Sequence, residues 1–78
     1  MGATEVDDIV VAEWSEVLDI DEPAAADDFF EVGGNSLLAV SLLERIESRL
    51  DVELPIDEFF ADGTLGALVA CARAAKAA

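Results

Sequence analysis

The sequence predicts an all-α domain: a four-helix bundle with a short third helix and a long loop between the first two helices. Apolar residues recur at three- and four-residue spacing in separate stretches, as they do on one face of a helix. Clusters of Pro, Gly and Asp separate these stretches, and no run shows the alternation of a strand. With 78 residues, the chain is predicted to be a single domain over residues 1–78.

The first helix is predicted over residues 4–18. Acidic residues near its start suit the positive end of the helix dipole. The remaining acidic side chains, Glu13 among them, are expected on the solvated surface. The buried stripe is expected to comprise Val6, Ile9, Val10, Trp14, Val17 and Leu18.

Residues 19–35 are predicted to form a loop, because their Pro, Gly and acidic residues disfavour a regular element. A connection of about 17 residues is long for a compact domain, and long loops are often functional. We expect at least one of Phe29 and Phe30 to pack beneath the loop and hold it to the core.

The second helix is predicted over residues 36–50, with Asn35 or Ser36 as its N-cap. At about 100° per residue, Leu37 falls on the solvated side and Val40 on a flank. Exposed apolar residues beside a helix start indicate a partner contact; the alternative is that the long loop covers Leu37. The predicted core face comprises Ala39, Leu42, Leu43, Ile46 and Leu50.

The third helix is predicted to be short, over about residues 55–61, with Pro55 in its first turn. Thr64 is expected to cap a fourth helix that runs toward Ala75. Residues 76–78 are expected to be a frayed tail. The buried stripe of the fourth helix is predicted to comprise Leu65, Leu68, Val69 and Ala72.

The chain is strongly acidic, with 18 Asp and Glu residues, four Lys and Arg residues and a net charge of −14. Such a charge repels nucleic acids and anionic membrane surfaces. It favours partners that are basic where they dock, with association that weakens in salt; the alternative is that acidity only maintains solubility. Without a secretory signal or a membrane-length apolar run, a cytoplasmic protein is expected.

The chain lacks the residues that most catalytic sites and metal sites need. The chain has no His and no Tyr, and its single Cys permits no internal disulfide. A zinc site is disfavoured as well, because it would need several His or Cys ligands. The acidic run from Asp19 has Ala24 where a calcium loop needs glycine, and Phe30 where it needs glutamate. We therefore predict no catalytic residue and no metal site, and we interpret Cys71 as a small, partly buried apolar residue.

Ser36 is the residue best placed for a chemical role. It lies at a predicted helix start behind Gly33 and Gly34, where glycines leave room for something to approach. Free N–H groups at a helix N-terminus favour an anion such as a phosphate ester. Local features alone nevertheless favour the alternative that Ser36 is an ordinary N-cap.

The sequence around Ser36 resembles the signature of carrier proteins, also called thiolation domains. In nonribosomal peptide synthetases the signature has one or two Phe, two variable positions, Gly-Gly, a polar residue, Ser, and Leu or Ile. The resemblance implies that a phosphopantetheinyl transferase attaches 4′-phosphopantetheine from coenzyme A to Ser36, flanked by Gly34, Asn35 and Leu37. The matching run is Asp28-Phe29-Phe30-Glu31-Val32-Gly33-Gly34-Asn35-Ser36-Leu37.

The resemblance also implies a role and a set of partners. The arm's thiol holds an aminoacyl, peptidyl or acyl group as a thioester, and the carrier itself performs no catalysis. It presents that group to adenylation, condensation, tailoring or thioesterase enzymes with basic docking patches, and it is expected to act as a monomer. The family's usual docking surface corresponds to Leu37, Val40, Phe59 and Phe60.

Two alternatives to a peptidyl carrier remain open. Gly33-Gly34-Asn35 favours the peptidyl type, but Asn35 departs from the commoner His or Asp, so an acyl carrier for fatty-acid or polyketide synthesis is one alternative. An unmodified acidic helical adaptor is the other. The acidic surface and the lack of linker-like ends favour a freestanding carrier over a domain of a larger synthetase.

Overall fold

The computed structural model describes residues 3–77, which form four helices and no strand. This confirms the predicted fold class, with helix ends within about two residues of the predicted ones. One isolated antiparallel bridge joins Asp28 to Thr64. The helices are α1 (Ala3–Leu18), α2 (Ser36–Leu50), α3 (Ile56–Ala61) and α4 (Leu65–Ala77). None of them is long and apolar enough to cross a membrane, as far as the described residues go.

The core lies where α1 packs against α2 and α4, around the fully buried ring of Trp14. The edge of this ring meets the rings of Phe29 and Phe59, with centroids at 5.4 and 6.5 Å, an arrangement that aromatic pairs prefer. The predicted core face of α2 is confirmed, since all five of its residues are buried. Phe29 is fully buried, so the expectation that an aromatic residue holds the long loop to the core is also confirmed.

Glu13 is buried, so its predicted place on the solvated surface is wrong. Only 5% of its surface is exposed. Its carboxylate accepts a hydrogen bond from Nε of Arg45 at 2.6 Å and one from Nη1 of Arg49 at 2.8 Å. Two guanidinium groups from α2 thus compensate the charge that burial would otherwise penalise. The helix pattern did not reveal this, because it takes no account of cations on a neighbouring helix.

Replacing Glu13 by glutamine should make the fold less stable at neutral pH. Burial alone raises the pKa of Glu13, but hydrogen bonds from Arg49 and Arg45 and the charges of both outweigh burial and lower it below its ordinary value of 4.5. We expect a loss of about 1–3 kcal/mol, below the range for fully buried pairs, because both arginines are about half-exposed.

The same substitution has a predictable pH dependence. Because the pKa of Glu13 is lower in the folded chain, its stabilisation is present above pH 4.5 and is lost as the pH falls through the folded value. Urea unfolding of the wild type and of Glu13→Gln at pH 7 and pH 3 measures this. The difference between their free energies of unfolding should be smaller at pH 3. A difference of constant size would show that the ionised carboxylate is not what stabilises the fold.

The loop over residues 19–35, as predicted, connects α1 to α2, and backbone hydrogen bonds tie it to the start of α4. The N–H of Phe29 donates to the carbonyl of Gly63 at 2.8 Å, and the N–H of Leu65 donates to the carbonyl of Asp27 at 3.0 Å. Within the loop, the Asp28 carboxylate accepts from the N–H of Phe30 at 2.9 Å. A loop held in this way sets the position of the helix that follows it.

The last helix extends two residues beyond its predicted end. Thr64 caps it as predicted, its hydroxyl accepting from the N–H of Ala67 at 3.3 Å. Near the other end, Nζ of Lys76 donates to the carbonyl of Leu50 at 2.9 Å, a favourable contact with the C-terminus of α2. Ala78 lies outside the described residues, and fraying of residues 76–78 stays a prediction.

Candidate functional site

Asn35, not Ser36, is the N-cap of α2. Its backbone is extended, and its side-chain oxygen accepts a hydrogen bond from the N–H of Leu38 at 2.9 Å. Ser36 is the first residue of the helix proper and is exposed. The interpretation of Ser36 as an ordinary cap is therefore wrong, because its neighbour performs that role. The Ser36 hydroxyl makes no hydrogen bond to any residue that the structure describes.

The two glycines before the cap meet different requirements. Gly34 packs against the buried ring of Phe29, and a Cβ at this position would lie 2.3 Å from two ring carbons. Its N–H donates to the carbonyl of Phe29 at 2.8 Å. Gly33 has a φ of 115°, in the region that favours glycine. Together they bring the chain from the core-anchored Phe29 to the start of α2 within a few residues.

The electrostatics at the start of α2 suit an anion despite the acidity of the chain. No acidic residue lies in the first turn of α2, whereas α1 and α3 both carry acids there. The N–H groups in the first turn of a helix lack carbonyl partners within it and favour negative charge. An exposed hydroxyl, a separate cap and an acid-free first turn fit a phosphodiester attached to Ser36. The structure groups no three potential metal ligands within residues 3–77.

Leu37 is the most exposed large apolar residue described, at 79%. The alternative that the long loop covers Leu37 is therefore wrong. Val40, one turn further, is 38% exposed, as its predicted flank position implies. Phe60 on α3 is 45% exposed, and its ring lies 5.8 Å from that of Phe30. Such residues indicate a contact surface when they lie near a functional side chain.

Phe59 does not belong to this exposed set, and we correct its predicted docking role. It is only 4% exposed, and its ring packs 5.4 Å from Phe29 and near Trp14. Neighbouring residues on a helix point about 100° apart, so a short helix lying on the core buries one of Phe59 and Phe60 and exposes the other. The sequence did not indicate which of the two is buried.

Sequence reasoning missed one exposed apolar residue, Val32, at 38% exposure. It lies in the long loop, where no helical period predicts the direction of a side chain. Its place in the run that resembles the carrier signature, four residues before Ser36, was the only indication in the sequence that Val32 lies near the site.

Sequence reasoning also missed a cavity between α2, α3 and α4, which we call the α2–α4 cleft. It has a volume of about 340 Å³. Its walls are largely apolar, and Cys71 lines it together with two acids, Glu58 and Asp62. Burial raises the pKa of the Cys71 thiol, and the charges of these two acids raise it further. Cys71 is partly buried, as predicted.

A protein-family model and several known proteins are similar to this chain. A family model described as "Phosphopantetheine attachment site" matches residues 8–72. The chain is 44% identical over 64 residues to phosphinothricin tripeptide synthetase PhsC of Streptomyces viridochromogenes. It is 41% identical over 63 residues to a linear gramicidin synthase of Brevibacillus parabrevis. It is 40% identical over 65 residues to polyketide synthase PksN of Bacillus subtilis.

The matched segments are small parts of those proteins. They cover 82%, 81% and 83% of this chain but only 6%, 1% and 1% of the respective relatives. The likeness therefore concerns a short segment of each relative, and the family match over residues 8–72 includes the region around Ser36.

Proposed function

The chain belongs to the family of phosphopantetheine attachment-site domains, and we propose that Ser36 is the residue that bears its arm. Members of this family are non-catalytic carriers that a phosphopantetheinyl transferase modifies with 4′-phosphopantetheine. The observation that supports Ser36 is its position: it is the exposed first residue of α2, and Asn35 caps the helix in its place.

The attachment uses the Ser36 hydroxyl as a nucleophile. Its oxygen forms a new bond to the phosphorus that bears the pantetheine in coenzyme A, and the bond from that phosphorus to the departing adenosine bisphosphate breaks. The hydroxyl proton passes to the transferase, because this chain has no His and the residues that flank Ser36 in sequence, Asn35 and Leu37, are not bases. When bound, the arm supplies a thiol that holds cargo as a thioester.

We propose that the cargo is aminoacyl or peptidyl and that the carrier serves nonribosomal peptide or related natural-product biosynthesis. Support comes from the Gly33-Gly34-Asn35 run and from identity to segments of a tripeptide synthetase and a gramicidin synthase. The identity to a segment of a polyketide synthase keeps acyl cargo as the second candidate. A cytoplasmic, monomeric carrier is part of the same proposal.

Loading assays test the class of cargo. The protein is first converted to its pantetheinylated form with coenzyme A and a broad-specificity phosphopantetheinyl transferase, and intact mass confirms one arm. It is then offered to a panel of adenylating enzymes with their amino acids and, separately, to a malonyl transferase with malonyl coenzyme A. We expect aminoacyl loading and little malonyl loading. Malonyl loading alone would favour the acyl-carrier alternative.

We propose that Leu37, Val40 and Phe60 form the docking face for the transferase and for adenylation, condensation, tailoring or thioesterase enzymes. These residues combine exposure with closeness to Ser36 in sequence or contact with the loop before it. The chain as a whole has a net charge of −14, which favours basic partners, so that docking should weaken with salt.

Replacing Leu37 by alanine should weaken docking without weakening the fold. Its side chain is mostly in solvent, so we expect the free energy of unfolding to change by less than about 0.5 kcal/mol. An apolar anchor at the centre of an interface costs more than about 1 kcal/mol when truncated, which is about five-fold or more in kcat/KM for arm transfer.

Ser48→Ala is the matched control, because Ser48 is also exposed on α2 but lies at its other end. Arm transfer to this variant should match that of the wild type. An unchanged rate for Leu37→Ala would remove Leu37 from the docking face.

A further inference from the structure

Asn35 carries the only carboxamide of the chain, since the sequence has one Asn and no Gln. Its side-chain oxygen accepts a hydrogen bond from the N–H of Leu38 at 2.9 Å. This contact determines which end of the carboxamide faces the helix, because an amide nitrogen only donates. The two Nδ2 protons remain, and Nδ2 donates to no acceptor within residues 3–77. The residue is exposed, so this donor is accessible to a group attached beside it.

A phosphodiester on Ser36 has a negative charge, and no cationic side chain of this chain is placed to offset it. The first basic residue of the sequence is Arg45, about 13 Å further along α2. Arg45 itself donates to Glu13 and Glu16 on α1. Each of the other three cations contacts an acid or a carbonyl of another helix. The groups that stabilise the phosphodiester from within this chain must therefore be neutral N–H donors.

The start of α2 supplies such donors next to the Ser36 oxygen. The N–H groups of Leu38 and Ala39 are already used, by the side-chain oxygen and the carbonyl oxygen of Asn35 at 2.9 Å each. Those of Ser36 and Leu37 have no acceptor among the described residues, as expected in a first helical turn. Nδ2 of Asn35 is the third unused donor, and it is the only one on a side chain. Adjacent residues have Cα atoms about 3.8 Å apart, so this short side chain can reach a group bonded to the next residue.

We propose that Nδ2 of Asn35 donates a hydrogen bond to a non-bridging oxygen of the phosphodiester on Ser36. This inference rests on the proposed attachment at Ser36. Asn35 is then a positioning residue with two tasks: its oxygen caps α2, and its nitrogen holds the base of the arm. Hydrogen bonds to an ionised acceptor are stronger than those between neutral groups. The bond restricts rotation about the Ser36 side chain, so the arm leaves the carrier in one preferred direction.

Proton exchange at the carboxamide tests the proposal, because the single carboxamide pair in an N–H correlation spectrum belongs to Asn35. Isotopically labelled protein is modified with unlabelled coenzyme A, so that the amides of the arm give no signal, and intact mass confirms one arm. We expect one Nδ2 proton to exchange with water about five-fold more slowly after modification, the effect of a partly exposed hydrogen bond. The N–H of Leu38, which reports the cap, should exchange equally in both forms.

Urea unfolding of modified and unmodified forms separates the two tasks of Asn35. Modification should raise the folding equilibrium constant about five-fold more in the wild type than in Asn35→Ala, which lacks the donor. Comparing the two forms within each variant removes the effect of the lost cap. Asn35→Asp keeps the cap, so its unmodified form should be about as stable as the wild type. Its carboxylate has no donor and repels the phosphodiester, so this variant should gain less from modification than Asn35→Ala.

Ser41→Ala is the matched control, because it removes another exposed polar side chain of α2, five residues beyond Ser36. Modification should stabilise this variant as much as the wild type. Unchanged exchange of both Nδ2 protons on modification, or an equal gain of stability in the wild type and Asn35→Ala, would overturn the proposal. Failure of the transferase to add any arm to Ser36 would instead refute the proposed function, and the role of Nδ2 with it.

Discussion

Replacing Ser36 by alanine should abolish attachment of the arm and leave the fold intact. The substitution removes the hydroxyl oxygen that is proposed to form the phosphodiester. Ser36 is exposed and is not the cap of α2, so the free energy of unfolding should change by less than about 0.5 kcal/mol. Intact mass after incubation with coenzyme A and a phosphopantetheinyl transferase, together with urea unfolding, measures both effects.

Asn35→Ala is the informative control for that result. It removes the cap of α2, which should cost about 1 kcal/mol, but retains the serine, so one arm should still be added. The two variants thus separate the structural role of Asn35 from the chemical role of Ser36. If Ser36→Ala lowered the free energy of unfolding by about 1 kcal/mol and Asn35→Ala did not lower it, this assignment would be contradicted.

Replacing Gly34 by alanine should cause the largest loss of stability among the substitutions at this site. The added Cβ would lie 2.3 Å from two ring carbons of Phe29 and 2.6 Å from its carbonyl oxygen. Phe29 is fully buried, so neither neighbour can give way without disturbing the core. Overpacking of this kind costs about 3 kcal/mol, a large share of the roughly 4–12 kcal/mol expected for a domain of this size.

Urea unfolding followed by the fluorescence of Trp14 measures this loss, because the chain has one tryptophan and its ring contacts Phe29. Gly33→Ala is the comparison, since a Cβ there meets nothing within 4 Å and only the positive φ is strained. That variant should lose about 1–2 kcal/mol. A loss below about 0.5 kcal/mol for Gly34→Ala would show that the Phe29 contact does not constrain the loop.

The helices and the core face of α2 were predictable because their apolar spacing is local, whereas Ile9, Val17, Leu18 and Val69 of the predicted α1 and α4 stripes are only partly buried. A helix turns about 100° per residue, so the side of α2 that carries Leu42 and Ile46 follows from sequence alone, as does the exposure of Leu37. The loop was also predictable from the sequence, since residues 19–35 combine Pro, Gly and acidic residues that disfavour a helix.

The errors arose where a neighbouring element determines the outcome. Glu13 lies inside because Arg45 and Arg49 on another helix compensate its charge. Phe59 is buried and Phe60 exposed because α3 lies on the core in one orientation, which six residues do not specify. The α2–α4 cleft arises from how three helices pack, so no single segment of the sequence contains it.

Ser36 has a different role in its local sequence, in the family resemblance and in the structure. Its local sequence favoured a cap, the resemblance of the surrounding run favoured an attachment point, and the structure assigned the cap to Asn35. The resemblance was necessary for the chemistry, because a helix start with an exposed hydroxyl does not by itself specify phosphopantetheine.

Peptide mapping of the modified wild-type protein tests most directly whether Ser36 bears the arm. Cleavage after Glu31 and Glu44 releases residues 32–44, which contain two serines, Ser36 and Ser41. After reaction with coenzyme A and a phosphopantetheinyl transferase, fragmentation of this peptide should place one phosphopantetheine on Ser36. An arm on Ser41 or in another peptide, or an unmodified protein, would show that Ser36 is not the attachment residue.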